Sequence, residues 1–124
     1  MQKMSCSSKN CNCHLFHEDV INDVSSKMLS NNEYNDIANL FKVISDINRI
    51  KIIEAVSKAP LCVCDIGHLL GVTKSAISHQ MKLLKEYNVV TSNREGKMVY
   101  YKLDNDKVLN IINQAKGYLG ENYA

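Results

Sequence analysis

Between Pro60 and Leu103 the chain runs through a short apolar segment, a glycine, a helix-starting threonine, a helical apolar stripe and two β-prone runs. Few folds accept that order. Pro60 ends one helix or begins the next segment, and Leu61-Cys62-Val63-Cys64-Asp65 stands at the entry to a short helix through Leu70. Gly71 supplies a sharp turn, and Thr73 is a good N-cap for a helix to about Tyr87. At 100° per residue Ile77, Met81 and Leu84 span only about 60° of the wheel, so one face of that helix packs inward. Val89-Val90-Thr91 and Met98-Val99-Tyr100-Tyr101, joined through Glu95-Gly96, predict a hairpin. Helix, glycine turn, helix and hairpin make a winged helix-turn-helix, a mainly α fold with a small β wing.

The flanking sequence predicts more helix. Val20, Val24 and Met28, with Ile21 alongside, mark one between about Leu15 and Leu29. Tyr34, Ile37, Ala38, Phe41 and Ile44 mark a second, Ile50, Ile53 and Val56 a third, and Val108, Ile111, Ile112, Ala115 and Leu119 a last. Residues 1–14 have no apolar period and predict a mobile Cys-rich tail, with residues 15–124 as one DNA-binding and dimerisation domain. A chain of 124 residues with 5 Gly and 1 Pro has little room for a second domain or long linkers. No apolar run approaches the roughly 18–20 residues that span a bilayer, and the polar start lacks a signal peptide's apolar stretch, so a cytoplasmic location is expected.

The net charge of +2 is weak, but its distribution is not even. Lys74, Lys82, Lys85, Arg94, Lys97 and Lys102 face only Glu86 and Glu95 between Val72 and Lys102, a local +4, whereas residues 1–46 carry −2. A polyanion is therefore met by the later part of the chain. On the helix face opposite Ile77 lie Ser75, Ser78, His79 and Lys82, whose short or hydrogen-bonding side chains suit base edges. Gln80 can donate or accept there, Lys74, Lys82 and Lys85 can meet phosphates, and Arg94 and Lys97 at the wing tip can reach a minor groove or its flanking phosphates. The expected partner is double-stranded DNA.

Five cysteines, four of them in two C-x-C pairs, suggest thiolate ligands or redox thiols in a reducing compartment. A structural thiolate site wants three or four donors, and one C-x-C gives two. Cys62 and Cys64 sit at a helix start, where free N–H groups and the helix dipole favour an anionic sulfur. Further donors must come from elsewhere, and the tail offers Cys11 and Cys13, with Cys6, His14 and His17 in reserve. Small buried cysteines would be the bland alternative. Nothing here suits an enzyme: Ser78 and His79 are helix neighbours rather than facing groups, and no Gly-rich phosphate loop occurs.

Several segments together resemble the ArsR/SmtB family of winged-helix metal-sensing repressors: Leu40-Phe41-Lys42-Val43-Ile44-Ser45-Asp46 with Arg49-Ile50-Lys51-Ile52, Leu61 to Ile66, Ser75 to Leu84, and Arg94-Glu95-Gly96-Lys97. The leading stretch Cys11 to Val20 is similar to the cadmium- and lead-responsive branch. The resemblance implies a homodimer, joined mainly through first and last helices, that leaves a palindromic operator when a soft metal binds. Carried over by position, Cys62 and Cys64 join Cys13, with Cys11 or His17 as the fourth donor, for Cd(II), Pb(II) or Zn(II). His17 stands where relatives commonly have Cys. A second site known in many relatives maps onto Asn105, Lys107, Tyr118 and Glu121, three of which lack ligand character, so that site is expected to be absent. A redox- or As(III)-responsive repressor and a metal-buffering protein are the rival readings.

Overall fold

The computed structural model describes residues 17–123, and the expected tail lies outside them. The described residues form six helices and three strands: α1 (Glu18–Lys27), α2 (Asn31–Ile44), α3 (Ile47–Lys58), β1 (Leu61–Cys62), α4 (Val63–Leu70), α5 (Lys74–Glu86), β2 (Val90–Glu95), β3 (Met98–Leu103) and α6 (Lys107–Tyr123). Among them no helix is long and apolar enough to cross a membrane. The chain divides into two compact units, one ending at Ala38 and one running from Asn39 onward.

In the first unit, α2 begins at a reciprocal cap. The Ser30 hydroxyl accepts from the Glu33 backbone N–H at 3.2 Å, and the Glu33 carboxylate accepts from the Ser30 N–H at 3.3 Å. Val20 and Val24 of α1, and Met28 at its C-cap, are all more than half exposed in the single chain.

The second unit holds the core. Ile52 and Ile53 of α3, Ile66 of α4, Ile77, Met81 and Leu84 of α5 and Val90 of β2 are sealed from solvent. The predicted α5 stripe is therefore the inward face. Two N-caps aim the helices: Asp46 accepts from the Arg49 N–H at 3.0 Å, and Thr73 accepts from the Ala76 N–H at 3.1 Å. Gly67 and Gly71 shape the corner between α4 and α5. A Cβ at Gly67 would stand 3.0 Å from the Val72 carbonyl oxygen, while Gly71 ends α4 at φ +69°.

Helix α5 stops in a Schellman arrangement built on asparagine rather than glycine. Asn88 takes φ 58°, its N–H donates to the Lys85 carbonyl at 3.0 Å, and the Val89 N–H donates to the Leu84 carbonyl at 2.9 Å. Buried Leu84 and Val89 supply the hydrophobic half of the motif, and the chain leaves directly into β2. The hairpin pairs Glu95 with Met98, so Gly96 and Lys97 form a two-residue loop, with Gly96 at φ +62°. Strand β1 was not expected from sequence. Leu61 and Cys62 pair with Tyr101 and Tyr100 to complete a sheet of order β1-β3-β2. Two residues are too few to leave a period.

Candidate nucleic-acid interface and thiolate site

Thr73 sets the start of α5 so that its first turn opens on solvent. Lys74, Ser75, Ser78, His79 and Lys82 are all exposed, as are Arg94 and Lys97 on the wing. The wing is braced against the helix by Lys85, whose ammonium donates to the Ser92 hydroxyl at 2.8 Å. At the tip the Arg94 Nε donates to the Gly96 carbonyl at 3.3 Å, which holds the guanidinium beside the loop. With no acidic residue in the α5 segment before Glu86, the helix presents three lysines and short polar groups along one side.

Gln80 is placed differently. It is half-buried, and its side-chain oxygen accepts from the Arg49 Nε at 2.7 Å. The helical wheel carried that signal: Gln80 falls only about 40° from Leu84, on the flank of the inward face.

The sulfurs lie at the junction of β1 and α4. Cys62 is the N-cap of α4, 5% exposed, and its sulfur accepts from the Asp65 backbone N–H. The Asp65 carboxylate reaches back and accepts from the Cys62 N–H at 3.1 Å, closing a capping box with cysteine in the serine position. Hydrogen bonding from the Cys62 side chain, and then from its backbone, holds the Asp65 carboxyl below its ordinary value. Cys64, two residues on, is exposed, and both cysteines are free thiols. A cysteine pair at a helix N-terminus, one sulfur open to solvent, is a donor set suited to a soft cation.

A shallow cavity of about 250 Å³ brings the two sets of candidates together. Cys62, Val63 and Cys64 line one side, Lys74 the start of α5, and Lys97, Met98, Val99 and Tyr101 the wing. The two thiols and two of the lysines expected to meet DNA therefore share one groove. Among the described residues no three of His, Cys, Asp and Glu gather as a metal-holding cluster. Cys11 and Cys13 lie outside the described residues, and His17 stands exposed at the N-cap of α1. Asn105 is engaged elsewhere, accepting from the Lys107 N–H at 2.9 Å at the start of α6, and Tyr118 is exposed.

Comparison with known proteins bears on the family and the fold. Residues 46–92, from the α3 cap into β2, match the arsR family of bacterial regulatory proteins. The chain is 40% identical over 103 residues to the cadmium resistance transcriptional regulatory protein CadC of Listeria innocua, covering 82% of this chain and 86% of that one. It is 30% identical over 111 residues to a transcriptional repressor SmtB homolog of Synechocystis, covering 90% and 84%. Among solved structures, the homodimeric winged helix-turn-helix DNA-binding domain Mb0332 of Mycobacterium bovis aligns with a TM-score of 0.66 at 20% identity, covering 76% of this chain and 90% of that one.

Proposed function

The chain belongs to the ArsR/SmtB family of bacterial regulatory proteins, in its CadC-like branch, and from that membership we propose how its residues work. It is a metal-responsive transcriptional repressor. Two copies pair and place their α5 helices in successive major grooves of a palindromic operator, about 34 Å apart for half-sites one turn apart. Ser75, Ser78 and His79 face base edges, while Lys74, Lys82, Arg94 and Lys97 meet phosphates. The exposed apolar residues Val20 and Val24 of α1, Met28 at its C-cap, and Tyr118 and Leu119 of α6 support pairing of two copies.

Cys62 and Cys64, with Cys11 and Cys13 from an N-terminal arm of residues 1–14, would hold a soft divalent ion, Cd(II), Pb(II) or Zn(II), His17 standing as the alternative fourth donor. When bound, the ion supplies a crosslink between the arm and the start of α4. The shared groove carries the reading: Lys74 and Lys97 sit beside the cysteines, so a change at the sulfurs is felt at the residues that meet DNA. Differential affinity of about 1–3 kcal/mol between two dimer geometries is the usual scale of such coupling.

The test follows operator anisotropy and sulfur-to-metal ultraviolet absorption in one sample during Cd(II) titration. Operator binding is lost at stoichiometric Cd(II), and a Cys62→Ser/Cys64→Ser variant stays bound. Release by peroxide with no metal absorption would replace this reading with the redox one, and Cd(II) capture without sequence-specific DNA affinity would leave a buffering protein.

A further inference from the structure

Arg49 bonds through its side chain to two helices other than its own in the second unit. It lies half-buried in the first turn of α3, where its own N–H is fixed by the Asp46 cap. Its Nη1 donates to the Val43 carbonyl at 3.0 Å and to the Lys42 carbonyl at 3.4 Å, in the last turn of α2. Its Nε donates to the Gln80 side chain in the middle of α5 at 2.7 Å.

The chemistry at each end is specific. Carbonyls in a helix's last turn lack intrahelical donors and carry the negative end of the dipole, so a cation there is doubly favoured. The Gln80 oxygen is the only side-chain acceptor by which α5 is held to α3 in the described residues. Two nitrogens of one rigid planar group make the two contacts at once, which a lysine ammonium on a flexible stem cannot reproduce. The geometry points to Arg49 as a positioning residue: through Gln80 it fixes the rotation of the DNA-reading helix against the end of α2. Gln80 then acts behind the interface and reads no base. This rests on the reading of α5 as the operator-binding helix, and it assigns Gln80 a role other than the one expected from sequence.

The experiment uses the full chain and a duplex that the wild type selects from a random library. Arg49→Lys and Gln80→Met are each measured for operator affinity, affinity for duplexes substituted one base pair at a time, Cd(II) affinity and thermal midpoint. Each variant loses about tenfold in operator affinity, the size of an ordinary short-range coupling. The double variant loses no more than either single one, Cd(II) affinity stays unchanged, and the Gln80→Met loss is uniform over all base positions. A lower thermal midpoint with wild-type affinity would make the contact merely structural and overturn the proposal. So would losses that multiply in the double variant, or a Gln80→Met loss confined to one base pair, which would return Gln80 to direct readout. Gln80→Met keeps length and helix propensity and removes the side-chain amide, its acceptor oxygen together with its donor nitrogen. It carries the test alone if Arg49→Lys does not fold. If the wild type selects no sequence at all, the DNA-reading assignment itself fails, an outcome distinct from those above, and the positioning role falls with it.

Discussion

Cys62 has two jobs that chemistry can separate. As the N-cap of α4 its sulfur accepts from the Asp65 N–H, and as half of the C-x-C pair it is a proposed donor. Serine can do the first and is a poor choice for the second, since hydroxyl oxygens cap helices well but do not bind soft cations as thiolates do. Cys62→Ser should therefore keep nearly wild-type stability in urea. Cys62→Ala loses the cap and should cost about 1 kcal/mol, with a further loss from the emptied space. A serine variant as unstable as the alanine one would show that packing of the buried sulfur, not capping, dominates. Gly67 presents a similar balance. Alanine gains about 1 kcal/mol of helix propensity in a helix interior, but overpacking costs about 1–3 kcal/mol. Its Cβ would meet a backbone oxygen at 3.0 Å, and backbone yields less readily than a flexible side chain. The balance should fall about 1 kcal/mol on the destabilising side in Gly67→Ala, measurable by chemical denaturation.

At the scale of elements, α3 and α6 are tied by a contact that sequence could not reveal, because Glu54 and Lys116 lie 62 residues apart. The Lys116 ammonium donates to the Glu54 carboxylate and holds its carboxyl below the ordinary value, first by hydrogen bonding and then by charge. A lowered carboxyl favours the folded state at pH above the ordinary value, and the benefit disappears as pH falls through the folded one. Because both partners are around half exposed, solvent screening limits the effect to about 0.5 kcal/mol. The thermal midpoint of Glu54→Gln should thus lie slightly below wild type at neutral pH and converge with it as pH falls below the ordinary carboxylate range. A gap that persists in acid would assign the difference to packing. Elements with a repeating apolar signal were legible in the sequence: the α5 stripe is buried, the Thr73 cap is made, and the hairpin turns at Gly96. What escaped was short or non-local. Strand β1 has two residues, the Asn88 cap needs a positive φ at a residue other than glycine, and the Arg49 contact joins positions 31 apart. Ser30 and Glu33 did carry a readable three-residue spacing for the start of α2. Of the proposed site, the helix-start position of Cys62 and Cys64 was legible in the sequence, as was the place of Gln80 on the flank of the inward face; that Lys74 and Lys97 share a groove with the two cysteines needed the packed structure.

For the molecule as a whole, charge separates what α5 contributes from what the wing contributes. The net charge of +2 exerts little long-range pull, so operator affinity depends on where the cations stand rather than on how many there are. Each phosphate neutralised by a cation releases condensed counterions, and the logarithm of the binding constant falls with the logarithm of salt at about 0.9 per contact. If Arg94 and Lys97 both meet phosphates, a dimer makes four such contacts from its two wings. Arg94→Gln/Lys97→Gln should then flatten the salt slope by about 3 to 4, and the variant's deficit should shrink as salt rises. Its discrimination among base substitutions should change little, because phosphate contacts position the protein without reading sequence. Lys27→Gln is the natural control, since Lys27 is ion-paired with Asp23 on α1 and should leave the slope as it was. Anisotropy titrations across a range of salt concentrations measure both. An unchanged slope in the wing variant would mean that the hairpin is not an electrostatic arm and that α5 binds the operator without it. A smaller change accompanied by altered preference at one base step would place Arg94 in the minor groove, reading its width rather than a phosphate.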